Sequence, residues 1–290
     1  MDNQTIIITG SSGFIGGELV THFLAKKYKV FSLSRSEPVH IDEGSVFFKY
    51  NLTDDKIDDK IFSKADVIIH CAYSQYSDSN IDADEINYEG TKRLLALSRK
   101  YSCKKFIFLS SFSAHNDAVS HYGRSKLKTE MLFDSEKDLI IKPGLVLGDG
   151  GLFKSLKKII LKNKFIPLIG GGMQSLQTVN ISQLIEVIET GIKNNISGNY
   201  TLAEQNPVSA LEFYKAISKG LDKKSVFIPF PYGLAICLVS FLKFLKIKSP
   251  ITKENILGLN QSKFYDISKT IQVFGITPIS YKESLKKLLK

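Results

Sequence analysis

Residues 5–36, "TIIITGSSGFIGGELVTHFLAKKYKVFSLSRS", carry the clearest structural signal of the sequence. The three isoleucines at 6–8 form an apolar β-branched run, which is typical of a strand buried on both faces. A turn with three glycines follows, then a helix rich in apolar side chains, and then a second strand over residues 30–33. This order of strand, turn, helix and strand is the context in which a glycine-rich turn binds a dinucleotide.

The three glycines of the turn have separate tasks in such a site. Gly10 permits the tight turn, Gly13 lets the backbone approach a diphosphate, and Gly16 lets the helix pack closely against the sheet. The first N–H groups of the helix and the positive end of its dipole attract phosphate oxygens. The sequence therefore predicts a cofactor-binding turn made of Gly10, Ser12, Gly13, Phe14, Ile15 and Gly16.

The end of the second strand indicates which dinucleotide is bound. A carboxylate there would accept a hydrogen bond from the ribose 2′-hydroxyl of NAD, whereas an arginine would pair with the 2′-phosphate of NADP. This sequence has Ser34 and Arg35 at that point, and no carboxylate before Glu37. NADP is therefore the favoured cofactor, and NAD is the alternative.

Strand and helix signals alternate over the following residues. Strands are predicted at "SVFFKY" (45–50), "DVIIHCA" (66–72), "KFIFLSS" (105–111) and "LIIKPGLVLG" (139–148), and helices at about 84–101 and at 122–133. This alternation predicts an α/β fold with a doubly wound parallel sheet of the Rossmann type. Residues 1–150 would form this core, with returning strands within 176–202, and residues 151–290 would form a smaller, basic region that caps the substrate.

Ligands of such sheets bind beyond the carboxyl ends of the strands. The predicted strands end in, or are followed by, a set of residues that would line this edge together. Those expected to contact the cofactor are Asn51, Leu52, Cys71, Ala72, Tyr73 and Pro143, and Ser110, Ser111 and Gly144 lie along the same edge.

A tyrosine and a lysine four positions apart, Tyr122 and Lys126, occur in "SHYGRSK" (120–126). On a helix they share one face, and an ammonium beside a phenol lowers the phenol pKa from its usual value of about 10. The same spacing recurs at Tyr88/Lys92, Tyr101/Lys105 and Tyr265/Lys269. Only Tyr122 opens a helix that follows a strand ending in two serines at the ligand edge, so this pair is interpreted as chemical.

The motifs "TGSSGFIG", "HCAY", "NYEGT", "FLSSFSA", "YGRSK" and "KPGLVLG", in this order and spacing, resemble the extended short-chain dehydrogenase/reductases. More narrowly, the chain resembles their NAD(P)-dependent epimerase/dehydratase branch, which modifies nucleotide sugars. The resemblance implies that Tyr122 is the general acid/base, that Lys126 holds the nicotinamide ribose and tunes the tyrosine, and that Ser111 binds the reacting oxygen. It also implies that Asn87 helps to order the site, and that a homodimer could form through the helices containing Asn87 and Tyr122.

Three functions remain open at this point. The leading hypothesis is an NADP-preferring oxidoreductase that acts on a nucleotide sugar by 4-keto reduction or 4-epimerisation. A second keeps the chemistry but places a lipid or sterol-like alcohol in the pocket. A third is a cofactor-binding sensor or assembly subunit without turnover, which the joint presence of Ser111, Tyr122 and Lys126 counts against.

Charge is distributed unevenly along the chain. Residues 1–150 have 19 basic and 21 acidic side chains, whereas residues 151–290 have 20 basic and 8 acidic ones. The second half therefore attracts anions, such as a phosphorylated small molecule or an anionic membrane surface. Nucleic acid is the least favoured partner, because the basic residues of that half are all lysines and its readers usually use arginine forks.

The remaining features predict a cytoplasmic protein without a metal site. The N-terminus "MDNQTIIITG" lacks the pattern of a signal peptide. The apolar run at 232–245 is too short to span a bilayer, and it is interpreted as a core or cap helix in preference to a membrane-surface helix. The three cysteines, Cys71, Cys103 and Cys237, are predicted to be buried free thiols, which suits a reducing compartment.

Overall fold

The computed structural model describes residues 4–37, 44–54, 57–74, 83–244, 256 and 263–289. Its strands are β1 (Thr5–Thr9), β2 (Lys29–Ser34), β3 (Ser45–Lys49), β4 (Val67–His70), β5 (Lys105–Leu109), β6 (Leu139–Pro143), β7 (Leu145–Leu147), β8 (Phe165–Ile169), β9 (Ser175–Leu176), β10 (Thr178–Asn180), β11 (Gly198–Leu202), β12 (Val208–Ser209) and β13 (Val226–Phe230). Its α-helices are α1 (Phe14–Ala25), α2 (Ala83–Lys100), α3 (His121–Glu130), α4 (Gly151–Lys162), α5 (Ile181–Lys193), α6 (Ala210–Gly220), α7 (Tyr232–Phe244), α8 (Ser268–Phe274) and α9 (Tyr281–Leu288).

The central sheet has seven strands in the order β11-β6-β5-β4-β1-β2-β3. Strand β1 pairs in parallel with β2 on one side and with β4 on the other, so the strand order reverses at β1. Strands β1, β4 and β5 are buried along their whole length, which explains why their sequences are apolar without alternation. The predicted doubly wound parallel sheet is confirmed, and its reversal point is where ligands of such sheets bind.

The chain divides into two compact units. The first consists of residues 1–111, 125–142 and 181–200, and the second of residues 112–124, 143–180 and 201–290. A core cluster of the first unit includes Ile7, Leu33, Phe62, Ile68 and Phe106. A core cluster of the second unit includes Phe153, Ile160, Phe213, Ile217 and Leu285. The boundary predicted at residue 150 stays a prediction.

The predicted strand at 139–148 is wrong in one respect, because it is two strands separated at Gly144. Strand β6 stays in the central sheet, whereas β7 pairs in parallel with β10. A Cβ atom at Gly144 would lie 2.2 Å from the carbonyl oxygen of Gln177, so only glycine permits this close approach. Of the strands within residues 176–202, β11 returns to the central sheet. Helix α3 ends at Glu130, three residues earlier than predicted.

Helix α7 occupies the apolar run predicted to be helical, and residue 245 of that run lies outside the described residues. Ala235 is buried, but Leu234 is 58% exposed and Cys237 is also exposed. The prediction that Cys237 is a buried thiol is therefore wrong, while Cys103 is buried and Cys71 is partly buried. Among the described residues, no helix is both long enough and apolar enough to cross a membrane.

Candidate active site

The glycine turn joins β1 to α1 and lies against the chain that follows β4. Gly10 has a φ of +70°, and a Cβ atom there would lie 2.8 Å from the backbone nitrogen of Ala72. A Cβ atom at Gly16 would lie 2.2 Å from the carbonyl oxygen of Gly10. The N–H of Gly10 also donates to the carbonyl of Leu33 at 2.8 Å, which ties the turn to β2. Any larger residue at Gly10 or Gly16 would push the turn open.

The N-terminus of α1 offers hydrogen-bond donors to a ligand. Gly13 is the N-cap and has no side chain to cap the helix, and the N–H of Gly17 donates to its carbonyl at 2.8 Å. The N–H groups of the residues between them have no partner within the helix. These residues are Phe14, Ile15 and Gly16, and the adjoining Ser12 and Gly13 are exposed. The accessible backbone and these N–H groups, which lack a partner within the helix, fit the diphosphate of a dinucleotide.

At the end of β2, Arg35 is exposed, as are Ser36 and Glu37 after it. Ser34 is buried, and its hydroxyl donates to the carbonyl of Ser36 at 2.7 Å and accepts from the hydroxyl of Ser11 at 3.2 Å. Arg35 follows directly and is exposed. Ser34 therefore shapes the chain at this point, and Arg35 presents a positive charge next to it.

Asn87 of α2 anchors the segment that follows β4. Its side-chain oxygen accepts from the N–H of Ser74 at 2.7 Å, and its amide nitrogen donates to the carbonyl of Ser74 at 2.9 Å and to that of Ala83 at 2.6 Å. The segment containing Cys71, Ala72 and Tyr73 is thus held to α2 from its far end. The loop after β3 approaches the same helix, because a Cβ atom at Gly90 would lie 2.8 Å from Leu52.

A chain of hydrogen bonds through the buried His70 anchors the same segment from its near end. Thr91 donates its hydroxyl proton to the carbonyl of Asn87 at 2.6 Å, so its oxygen accepts from Nε2–H of His70 at 3.0 Å. Nδ1 of His70 then accepts from the hydroxyl of Thr9 at 2.6 Å, and that hydroxyl accepts from the N–H of Ala72 at 3.2 Å. Burial lowers the pKa of His70 to about 3, so the ring is neutral in the Nε2–H form.

Lys126 is a buried ammonium at the end of β5. It is 4% exposed, and its Nζ donates to the carbonyl of Leu109 at 2.7 Å. The same atom lies 4.6 Å from the ring centre of Phe108 and 5.0 Å from that of Tyr73. Burial lowers the pKa of Lys126 to about 8, more than the nearby Cys71 and Glu130 raise it. Lys126 therefore carries its charge at neutral pH but holds the proton less firmly than an exposed lysine.

Glu130 fixes the end of α3 one turn after Lys126. It is buried, and its carboxylate accepts a hydrogen bond from the hydroxyl of Ser110. It also forms an ion pair with Nζ of Lys142 at 2.8 Å. Because Ser110 follows β5 and Lys142 lies in β6, the carboxylate joins the helix to two strands of the sheet. Sequence reasoning missed Glu130 and His70. The signal for His70 was a polar residue at the end of the apolar, buried strand β4, whereas Glu130 lies in a helix of mostly polar sequence and gave no such signal.

The other predicted catalytic residues lie at the ends of elements. Tyr122 is the second residue of α3, one turn before Lys126, and is partly exposed. Ser111 follows Ser110 after β5, and the carbonyl of Pro143 at the end of β6 accepts from the N–H of Phe112 at 3.1 Å. Ser111 and Lys126 belong to the first unit and Tyr122 to the second, and their grouping stays a prediction. Within the described ranges, no three histidine, cysteine or acidic side chains are placed to hold a metal ion.

The parallel sheet, the glycine turn at its reversal point and the buried lysine define a dinucleotide-binding α/β protein of the dehydrogenase class. Residues 6–135 match the sequence model of the NAD dependent epimerase/dehydratase family. This match agrees with the resemblance that the motifs indicate, and the matched residues make up somewhat less than half of the chain. The predicted enzyme class and the predicted nicotinamide cofactor are confirmed at the level of the family.

Several curated relatives match nearly the whole chain, and two of them are 4-epimerases by name. The UDP-glucose 4-epimerase of Vibrio cholerae is 25% identical over 95% of this chain and 91% of its own length. The N-acetyl-alpha-D-glucosaminyl-diphospho-ditrans,octacis-undecaprenol 4-epimerase of Escherichia coli O157:H7 is 22% identical over 99% of this chain and 95% of its own length. The solved structure of UDP-glucuronic acid 4-epimerase from Bacillus cereus, in complex with UDP-glucuronic acid and NAD, has a TM-score of 0.77. It is 20% identical and covers 99% of this chain and 98% of that one, which confirms the fold.

Proposed function

We propose that the chain transfers hydride at C4 of a sugar carried on a nucleoside diphosphate, as a 4-keto reductase or a 4-epimerase. The observation that carries the proposal is the buried ammonium of Lys126, one helical turn after Tyr122 and hydrogen-bonded to the end of β5. The bound nicotinamide would supply or accept the hydride. The three relatives described above are named for 4-epimerisation of sugars carried on a diphosphate, which supports the substrate class.

Tyr122 is the proton donor and acceptor in this proposal. An ordinary tyrosine has a pKa of about 10 and is a poor base at neutral pH. The Lys126 ammonium favours the phenolate, which makes proton exchange with the substrate oxygen possible near pH 7. Tyr122 gives its proton to that oxygen when the carbonyl is reduced, and takes it back when the alcohol is oxidised. Ser111 donates a hydrogen bond to the same oxygen and holds it in place.

The chemistry of the cofactor site bears on the outcome of the reaction. Arg35 at the end of β2 favours NADP, and a cofactor that enters reduced and leaves oxidised suits net reduction. An epimerase instead regenerates its cofactor within each turnover. Consumption of NADPH in proportion to product therefore identifies a reductase, and interconversion without net consumption identifies an epimerase.

A second substrate is favoured by one observation. Helix α7 exposes the apolar Leu234, 58% of which is accessible to solvent. A sugar diphosphate attached to a lipid would offer an apolar chain to such a surface, and the Escherichia coli relative is named for a substrate of this kind. The two substrates share the sugar chemistry and differ in the carrier.

A thermal-shift screen with NADP⁺ present identifies which carrier binds, because a ligand of the folded state raises its melting temperature. Turnover is then measured for Tyr122→Phe, which removes only the phenol oxygen. We expect this variant to lose turnover and to keep its affinity for NADPH. Tyr88→Phe is the matched control, because Tyr88 also precedes a lysine by four positions on a helix. It should behave as the wild type.

Full turnover by Tyr122→Phe would contradict the proposed role of the phenol. A protein that binds NADPH but oxidises it with none of the keto sugars, whether nucleotide-linked or lipid-linked, would be a cofactor-binding subunit without turnover.

A further inference from the structure

Strands β8 and β13 of the second unit form a two-stranded parallel ribbon, in which Val226 pairs with Phe165 and Ile228 with Pro167. Paired residues of neighbouring strands point to the same side. Phe165, Val226 and Ile228 are 60%, 44% and 45% exposed, and Pro167 is exposed as well. We call these four residues the ribbon face.

The ribbon face lacks the polarity expected of a strand surface in water. In β8, buried Ile166 and Leu168 alternate with exposed Phe165 and Pro167, so the burial has the period of two that a strand requires. The exposed positions of such a strand are normally polar, but here both sides are apolar. Contiguous apolar patches on a protein surface mark sites of contact with another protein or with a membrane.

Lysines precede both strands of the ribbon. Because the strands run parallel and in register, these lysines lie at the same end of the ribbon. The N–H of Val226 donates to the carbonyl of Lys164 at 2.7 Å, which joins the two entering segments. The exposed lysines are Lys162, Lys164, Lys223 and Lys224, and we call them the basic end.

A cavity of about 300 Å³ adjoins the basic end. Its lining includes Ser225, whose hydroxyl oxygen is buried and has no hydrogen-bond partner among the described residues. A hydroxyl and several ammonium groups are suited to phosphate oxygens. The charged residues of the lining are Lys215, Lys219, Lys223 and Lys224 and one carboxylate, Asp222.

We propose that the ribbon face and the basic end dock the protein on an anionic phospholipid surface. The apolar side chains enter the boundary between headgroups and acyl chains, and the lysines contact the lipid phosphates. The 20 basic and 8 acidic residues of 151–290 attract the protein to such a surface from a distance. This docking goes beyond the proposed reaction and does not depend on its substrate.

Charge favours this partner over two others. A second copy of the chain would bring the same excess of lysines to the contact, and like charges across an interface repel. Nucleic-acid readers use arginine forks, and residues 125–290 contain no arginine. An anionic lipid surface neutralises the lysines and also accepts apolar side chains.

Co-sedimentation of the full chain with vesicles tests the proposal. We expect binding to vesicles of phosphatidylcholine mixed with phosphatidylglycerol, weaker binding at high salt, and little binding to phosphatidylcholine alone. The double variant Lys223→Gln/Lys224→Gln should bind about thirtyfold more weakly, since each lysine near an anionic surface contributes about a factor of five. The matched control is Lys286→Gln/Lys287→Gln, which removes the same charge from exposed positions of α9. It should keep its affinity.

A second variant tests the apolar part. Phe165→Ser/Ile228→Ser changes exposed side chains only, so we expect it to keep its melting temperature and to lose vesicle binding. The proposal fails if both lysine variants lose affinity equally, if the serine variant binds as the wild type does, or if phosphatidylglycerol makes no difference. It also fails if sedimentation velocity shows that the serine variant converts a dimer to a monomer, because the ribbon face would then be covered by a second copy. None of these readouts uses turnover, so the result is separate from that of the proposed reaction.

Discussion

Replacing Lys126 by methionine tests whether this side chain is a buried ammonium. Methionine keeps the length and apolar character of the lysine stem and removes the charge. The variant should have no turnover, because Tyr122 loses the group that favours its phenolate. The stability of the variant carries a sharper prediction, since a buried charge destabilises the fold whether or not the protein is an enzyme.

The magnitude follows from the pKa of Lys126, which burial lowers from 10.5 to about 8. The difference corresponds to about 3 kcal/mol. Below pH 8 the folded and unfolded chains both hold the proton, and the full cost acts on the wild type. Between about pH 8 and pH 10.5 only the unfolded chain holds it, so the stability of the wild type relative to the variant rises with pH.

The loss of the hydrogen bond to Leu109 does not hide this effect. Its carbonyl is left without the Lys126 donor, which costs the variant about 1–3 kcal/mol. That cost is independent of pH, so it displaces the curve of stability difference against pH without changing its shape. The shape therefore isolates the ammonium.

Urea unfolding of both proteins without cofactor, at several values between about pH 7 and pH 10, gives the two stability curves. Lys128→Met is the matched control, because Lys128 is exposed and lies two positions further along α3. The free energy of unfolding of this control should change with pH as that of the wild type does. A constant difference in stability between the wild type and Lys126→Met at all values of pH would show that Lys126 is not a buried ammonium. An equal trend in the control would show the same.

Three further outcomes are expected. Gly16→Ala should lose cofactor binding and about 2 kcal/mol or more of stability, because its Cβ atom would lie 2.2 Å from the carbonyl oxygen of Gly10. The control is Gly17→Ala, whose Cβ atom would lie 3.5 Å from its nearest neighbour. Thermal unfolding and NADPH titration should show that this control keeps its stability and its cofactor affinity. Equal losses in the two variants would argue against close packing at Gly16. Nitrogen NMR should show the ring of His70 neutral and Nε2-protonated from pH 8 to pH 5, since burial lowers its pKa to about 3. Because only the unfolded chain then protonates His70, the free energy of unfolding should decrease as pH falls below about 6.5. A ring that titrates near pH 6.5 in the folded protein would contradict the hydrogen-bond chain. In fluorescence titrations, Arg35→Ala should lower the affinity for NADPH at least tenfold and leave the affinity for NADH almost unchanged. Equal losses of affinity would remove the basis for preferring NADP.

Local signals were sufficient to predict much of the sheet. The run of isoleucines in β1, the glycine turn and the apolar face of α1 lie within residues 5–25, and each is a property of near neighbours in sequence. The break at Gly144 is different, because its cause is the carbonyl of Gln177, 33 positions further along the chain. A continuous apolar run gives no sign of such a contact.

The residues of the candidate site also divide into those that local sequence signals predicted and those that depend on distant contacts. Lys126 was predicted because its pair with Tyr122 lies on the helix that follows a strand ending in two serines, and the structure shows Lys126 buried at the end of β5. The hydrogen bond between Thr9 and His70 spans 61 positions, and the one between Ser110 and Glu130 spans 20. Neither pair has a fixed spacing that a single sequence could reveal. The register of β1 against β4 brings the first pair together, and the position of α3 at the end of β5 brings the second pair together.

The first unit is not continuous in sequence, and this affects how the protein can be made. Its last segment, residues 181–200, leaves the ribosome after the segment 143–180 of the second unit. Residues 181–200 supply Glu189, which pairs with His22 of α1 at 2.8 Å. They also supply Ser197, whose hydroxyl accepts a hydrogen bond from Nζ of Lys105 at 2.8 Å. A nascent chain halted at residue 150 would have β6 as a bare sheet edge and α1 without its partner helix. The first unit therefore completes its folding only after residue 200 has been synthesised.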